Sequence, residues 1–171
     1  MPTAEERELL TQLYEAYKHR AILYYLIFDV VREEEGHDKA VAMMKRAIYK
    51  RGVELGLQKY ARFAPDDLLG LQRAFLDAVP DDGKMFQPEV ERADTEALDI
   101  KFRRCPLKEA WIEAGLSDAD VATLCEIAAE IDVGTFQGAG FCFCADTWKP
   151  DGDGCCRLHV RPGKPEQADP Q

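Results

Sequence analysis

The stretch Ala97-Leu98-Asp99-Ile100-Lys101-Phe102-Arg103-Arg104-Cys105-Pro106-Leu107 decides how the chain is read. Its first half alternates, with Leu98, Ile100 and Phe102 on one side and Asp99, Lys101 and Arg103 on the other. A two-residue period of this kind marks a strand buried on one face. The second half changes character. Pro106 suits the first position of a helix, where its missing N–H would find no partner anyway, and Cys105 then falls at the N-cap. Upstream, Met85 to Glu91 reads as a partner strand, joined by a hairpin through Ala93-Asp94-Thr95.

Before Gly83 the chain reads as helices. Thr3 and Glu6 match a capping box. Leu9, Leu10, Leu13, Tyr17, Ala21, Tyr24 and Phe28 follow helical spacing up to Gly36, a natural C-terminal stop. A second helix runs from about Asp38 to Tyr60 on Val41, Met44, Ile48 and Leu55; Gly52 and Gly56 weaken it but allow close packing against a neighbour. A third begins near Pro65-Asp66 and carries Leu68, Leu71, Phe75 and Leu76, before Pro80-Asp81-Asp82-Gly83 breaks it.

Downstream, two short helices are expected. The first runs from Pro106 through Trp111 to Gly115, and the second, capped by Ser117, carries Val121, Leu124, Cys125, Ala128 and Ile131. Gly134 to Gly140 reads as a glycine-rich loop, Phe141 to Trp148 as a strand, Lys149 to Gly154 as a turn, and Cys156 to Arg161 as a last strand. The fold class is therefore α+β, with N-terminal helices packed on a small, mostly antiparallel sheet and two further short helices. One domain is expected over residues 1–161, with a helical part at 3–80 and a cysteine-bearing part at 84–161. The polar, proline-rich tail 162–171 is expected to be disordered.

With 171 residues the chain can bury a proper core without disulfides. A net charge of −10 argues against a broad nucleic-acid surface and against an anionic membrane, both of which call for clustered cations. The longest apolar run, Ala21 to Phe28, is far short of the roughly 20 residues of a spanning helix. Met1 to Glu8 is too polar for a signal peptide. A cytoplasmic location follows as the expectation, and disulfides are rare there. The six cysteines, all in the second half, then read as free thiols, ligands or catalytic groups.

Cys105 stands out. A helix N-terminus and the neighbouring Arg103 and Arg104 favour a thiolate, the reactive form of cysteine; the bland reading is a small buried capping residue. Cys125 lies on an apolar helix face, where core packing is the simpler use. Cys142 and Cys144 share a strand face, while Cys155 and Cys156 point to opposite sides, so one of the latter pair can join them. That spacing is no standard zinc pattern. Asp151-Gly152-Asp153-Gly154 lacks the downstream ligands of a calcium loop and reads as a turn. Of His19, His37 and His159, the last lies three positions from Cys156 and is a candidate base or ligand. The chain has no HExxH, GxSxG or Walker motif.

Arg104-Cys105-Pro106-Leu107, Trp111, Gly115, Leu124-Cys125, Asp132, Phe136, Thr147, Gly152-Asp153 and Cys156, in that order, resemble the L-2-amino-thiazoline-4-carboxylic acid hydrolase family. The likeness covers roughly residues 100–161; the helical half carries no specific motif. The matching positions are Cys105, Cys125, Asp132, Asp153 and Cys156, which leaves Cys142, Cys144 and Cys155 as extra cysteines. The resemblance implies a small-molecule substrate, a cyclic isothiourea opened by water at the carbon between nitrogen and sulfur. In that reading Cys105 or a metal-bound water is the nucleophile, Asp132 or Asp153 the general base, and Arg103 or Arg104 the holder of a substrate carboxylate. A second reading places a metal ion or iron–sulfur cluster on Cys105, Cys125 and Cys156, as in a lyase, a desulfurising enzyme or a redox sensor. A third is a ligand-binding module without catalysis. The tyrosine-rich first helix serves core packing, a pocket wall or the interface of a homo-oligomer.

Overall fold

The computed structural model describes residues 3–163. Helix α1 (Ala4–Glu35) begins at the capping box: the Glu6 N–H donates to Thr3 Oγ1 at 3.1 Å, and the Thr3 N–H donates to Glu6 Oε2 at 2.6 Å. It ends at Gly36, whose φ of 88° is a conformation glycine adopts at little cost. Helix α2 (His37–Lys59) folds back along it. After a single 3-10 turn (Ala61–Phe63), Asp67 caps α3 (Leu68–Asp77) by accepting from the Gly70 N–H at 2.8 Å.

Strands β1 (Pro88–Ala93) and β2 (Leu98–Phe102) form the expected hairpin, shifted a few residues later on the β1 side. Its turn is held by Asp94, whose carboxylate accepts from the Glu96 and Ala97 N–H groups. Helix α4 (Pro106–Glu113) starts at Pro106 with Cys105 at the N-cap. Ser117 caps α5 through the Asp120 N–H at 3.2 Å.

α5 (Asp118–Ala139) is 22 residues long, so it is not the short helix expected. The segment 134–140, read from its glycines as a loop, is helical to Ala139, and only Gly140 leaves the helix, at φ 108°. The reason is tertiary. Gly52 and Gly56 on α2 meet Gly134 and Gly138 on α5, and the two backbones touch. A Cβ at Gly138 would lie 2.8 Å from the Val53 Cα, and one at Gly56 would lie 2.9 Å from the Ala139 N. The cost of glycine in a helix, about 1 kcal/mol each, is offset by this approach.

β3 (Cys142–Asp146) and β4 (Arg157–Arg161) complete a four-stranded antiparallel sheet in the order β1-β2-β4-β3. Leu98, Ile100, Leu158 and Val160 are fully buried on its inner face. Cys144 stands opposite His159 and Cys142 opposite Arg161. These four lie on the other face from Leu158 and Val160, so Cys142 and Cys144 do not join Cys155 or Cys156. Of the tail expected to be disordered, Lys164–Gln171 lies outside the described residues.

Two apolar clusters make up the core. One joins α1, α2, α4 and α5 through Phe28, Met44, Ile48, Trp111 and Leu124; the other joins the sheet to α3 and the end of α5 through Leu71, Ile100, Phe136 and Leu158. Cys105 and Trp148 pack against both. The Trp111 Nε1–H donates to the Ala21 carbonyl at 2.7 Å and ties α4 to α1.

Candidate active site

Where the two clusters meet, the chain leaves a cavity of about 290 Å³. Its walls are mostly apolar, from Leu55, Phe75, Phe86, Phe102, Leu107 and Trp111. Polar groups enter from several elements. Tyr17 and Arg20 come from α1, Lys59 and Tyr60 from the end of α2, and Asp132 and Thr135 from α5. Four thiols complete the lining: Cys105 at the start of α4, Cys125 on α5, and Cys155 and Cys156 on the segment before β4. An apolar cleft with a few convergent polar groups is the usual form of a small-molecule site.

Asp132 is the most perturbed carboxyl in it. It is partly buried and lines the cavity. Loss of water pushes its carboxyl up to about 7, while the Arg20 charge pulls the other way. The neighbouring Tyr60 phenol is pushed up by burial and by the Asp132 charge. Arg20 itself is exposed and lies over the Tyr17 ring at 4.5 Å.

The thiols form a cluster. Cys155 lies close enough to Cys105 and Cys125 to act on both thiols, and its Sγ lies 3.5 Å from that of Cys156. At Cys105 the neighbouring Cys155 thiol and burial raise the thiol well above its usual range, against the pull of the Lys108 and Leu107 backbone N–H groups. At Cys125 the Cys155 thiol and burial likewise push the thiol up. Both therefore stand as neutral thiols at neutral pH. The cation effect expected from Arg103 and Arg104 is absent at Cys105 because both guanidinium groups are engaged elsewhere. Arg103 binds Glu89 at 2.5 Å and Asp153 at 2.5 Å, and Arg104 makes a two-point bond to Glu109 at 2.9 and 2.7 Å. Neither lines the cavity.

Of the residues singled out from the sequence, the structure brings Cys105, Cys125, Asp132 and Cys156 to one cavity and leaves Arg103, Arg104 and Asp153 outside it. Asp153 is exposed and pairs with Arg103. His159 lies on the outward sheet face, its Nδ1 2.8 Å from Asp99 and its Nε2 3.2 Å from Asp146. Among the described residues no group of three or more His, Cys, Asp or Glu side chains is arranged to hold a metal ion. The set Cys105, Cys125 and Cys156 thus gains no support as ligands, and Cys155 lines the same cavity beside them. Sequence reasoning missed Arg20, Lys59 and Tyr60, and set Cys155 aside as an extra cysteine. The only sequence signal for Arg20 was its place one turn after Tyr17, at the edge of the apolar stripe.

Helices folded over one face of an antiparallel sheet, with a cavity lined by an acid and several thiols at their junction, define an α+β protein with an internal pocket of small-molecule size. The family model for L-2-amino-thiazoline-4-carboxylic acid hydrolase matches residues 14–160, and the chain belongs to that family. The match reaches far into the helical half, which contributes Tyr17, Arg20, Lys59 and Tyr60 to the cavity. A comparison with curated proteins gives no match. Among the described residues no helix is long and apolar enough to cross a membrane.

Proposed function

We propose that the cavity hydrolyses a small cyclic isothiourea or related C–N/C–S centre, with Asp132 as general base. The observation that carries this reading is Asp132 itself, a carboxyl raised to about 7 inside a mostly apolar cavity of small-molecule size. A base with a pKa near the working pH combines a useful fraction of charged form with real basicity. The family name supports the reaction class.

In this reading water adds to the carbon between nitrogen and sulfur while Asp132 accepts a proton from it. The C–S bond breaks and its electron pair stays on sulfur. Of the two water protons, one ends on the ring nitrogen and one on sulfur, and the product is an open-chain urea bearing a thiol. Cys105, held neutral, donates a weak S–H hydrogen bond to the departing sulfur; a buried neutral thiol is a poor nucleophile. Arg20 and Lys59 take the carboxylate role expected of Arg103 and Arg104, since a free guanidinium or ammonium pairs well with a carboxylate.

The test is turnover of 2-amino-thiazoline-4-carboxylate by the purified chain, followed by release of thiol well beyond one equivalent. Asp132→Asn should cut kcat by about 10²-fold or more, and Cys144→Ser on the outer sheet face should leave it unchanged. Binding without turnover in the wild-type chain would replace this reading with that of a non-catalytic ligand-binding module.

A further inference from the structure

Hydrolysis by a base and a water needs one thiol at most, yet four line this cavity. Cys155 shares the cavity wall with Cys105, Cys125 and Cys156, which come from the start of α4, the middle of α5 and the next position in the chain, and its Sγ lies 3.5 Å from that of Cys156. Its backbone is fixed beside the end of β2. The Cys155 N–H donates to the Phe102 carbonyl at 2.9 Å, and the Phe102 N–H donates to the Cys156 carbonyl at 2.8 Å, only three residues before Cys105. The Lys108 ammonium, one turn into α4, donates to the Gly154 carbonyl at 3.0 Å and holds the Cys155 segment against that helix.

The geometry points to Cys105 and Cys155 as a thiol–disulfide exchange site inside the cavity, one that takes oxidising equivalents from a low-molecular-weight disulfide. One thiolate attacks the external disulfide and releases one thiol, forming a mixed disulfide. The second cysteine then displaces the other thiol. Two cysteine thiols are oxidised, the external disulfide is reduced to two thiols, and the two protons pass to those thiols.

The choice of pair follows from covalent geometry. Bridged cysteines usually have Cα atoms about 4.4–6.8 Å apart, whereas adjacent residues such as Cys155 and Cys156 are held at about 3.8 Å. Between Cys105 and Cys125, only Cys105 sits at a helix start, where the Leu107 and Lys108 N–H groups favour its thiolate. Cys125 lies mid-helix on the apolar face of α5, where nothing supports a negative charge. The bridge would tie the segment before β4 to α4 across the cavity wall. Because buried thiols react slowly until deprotonated, the reaction should speed up towards alkaline pH.

The test uses the full, reduced chain incubated with oxidised glutathione and read by intact mass and by non-reducing peptide mapping. The expected result is a chain lighter by two hydrogens with a Cys105–Cys155 bridge, reversed by a dithiol reductant. The bridge should be absent in Cys105→Ser and Cys155→Ser and retained in Cys125→Ser. Phenylarsine oxide, which captures closely spaced thiols, should protect the wild-type chain from bridging. A bridge that persists in Cys155→Ser, or glutathione attached only to Cys142 or Cys144 with the cavity thiols intact, overturns the assignment. The readout is mass, so a chain that bridges but hydrolyses no isothiourea would sink the hydrolase reading and leave this one standing.

Discussion

Gly56 on α2 and Thr135 on α5 meet backbone to backbone, with no room between the Gly56 Cα and the Thr135 carbonyl oxygen for a methyl group. Asp132 lies one turn before Thr135 on the same helix, so this contact helps to set where the acid stands. Gly56→Ala sets two effects against each other. Helix propensity favours alanine by about 1 kcal/mol, and forcing an atom into packed backbone costs about 1–3 kcal/mol or more. The clash is with main chain that cannot swing away, so it wins. Urea denaturation should show a lower midpoint for Gly56→Ala, and an unchanged or higher midpoint would mean the helices are not packed this closely.

Trp111→Phe should destabilise the fold by about 1–3 kcal/mol. It removes the buried bond from Nε1 to the Ala21 carbonyl, and with it the tie between α4 and α1. The fall in thermal midpoint should exceed that of an exposed apolar substitution such as Ile112→Ala, since Ile112 is 49% exposed.

Arg103→Ala should leave turnover roughly unchanged, because Arg103 is exposed and occupied by Glu89 and Asp153 outside the cavity. Arg20→Ala should raise KM through loss of a cation for the substrate. It should also move the Asp132 titration upwards, since the Arg20 charge now holds it down. Parallel kinetics on the two variants check this, and the opposite ranking would return the carboxylate role to Arg103.

Much of the fold was legible because local rules agreed with it. Thr3 and Glu6 capped α1, Gly36 stopped it, Pro106 and Ser117 opened α4 and α5, and the alternation of Leu98, Ile100 and Phe102 marked β2. Gly134 and Gly138 misled because their helix cost is local and their compensation lies on α2. Yet the four-residue spacing of Gly134 and Gly138 repeats that of Gly52 and Gly56, and this was the signal that two helices touch. Asp132 was singled out by the family resemblance, and it lines the cavity. Its partners were not, since Arg20 and Tyr60 arrive from distant parts of the chain and only the packing of α1 and α2 brings them in. Arg103 and Arg104 adjoin Cys105 in sequence, but Glu89, Asp153 and Glu109 draw their guanidinium groups away.

The raised Asp132 carboxyl has a consequence for stability. Between the unfolded carboxyl range near 4 and the folded value of about 7, the native state binds the extra proton, so stability falls as pH rises across that window. The penalty at pH 8 is on the order of 1–4 kcal/mol. Asp132→Asn should remove it, giving a flatter profile from pH 4 to 7 and a more stable protein at pH 8. Urea midpoints at several pH values measure this, and an equally steep profile in the variant would place the titration elsewhere.

The most direct test of the central claim is the pH dependence of kcat/KM for 2-amino-thiazoline-4-carboxylate in the wild-type chain and in Asp132→Asn. If Asp132 is the base, the wild-type rate should climb about tenfold per pH unit below an apparent pKa near 7 and level off above it. The small residual rate of Asp132→Asn should lack that step. A wild-type profile flat through pH 7, or the same step surviving in Asp132→Asn, would contradict the account.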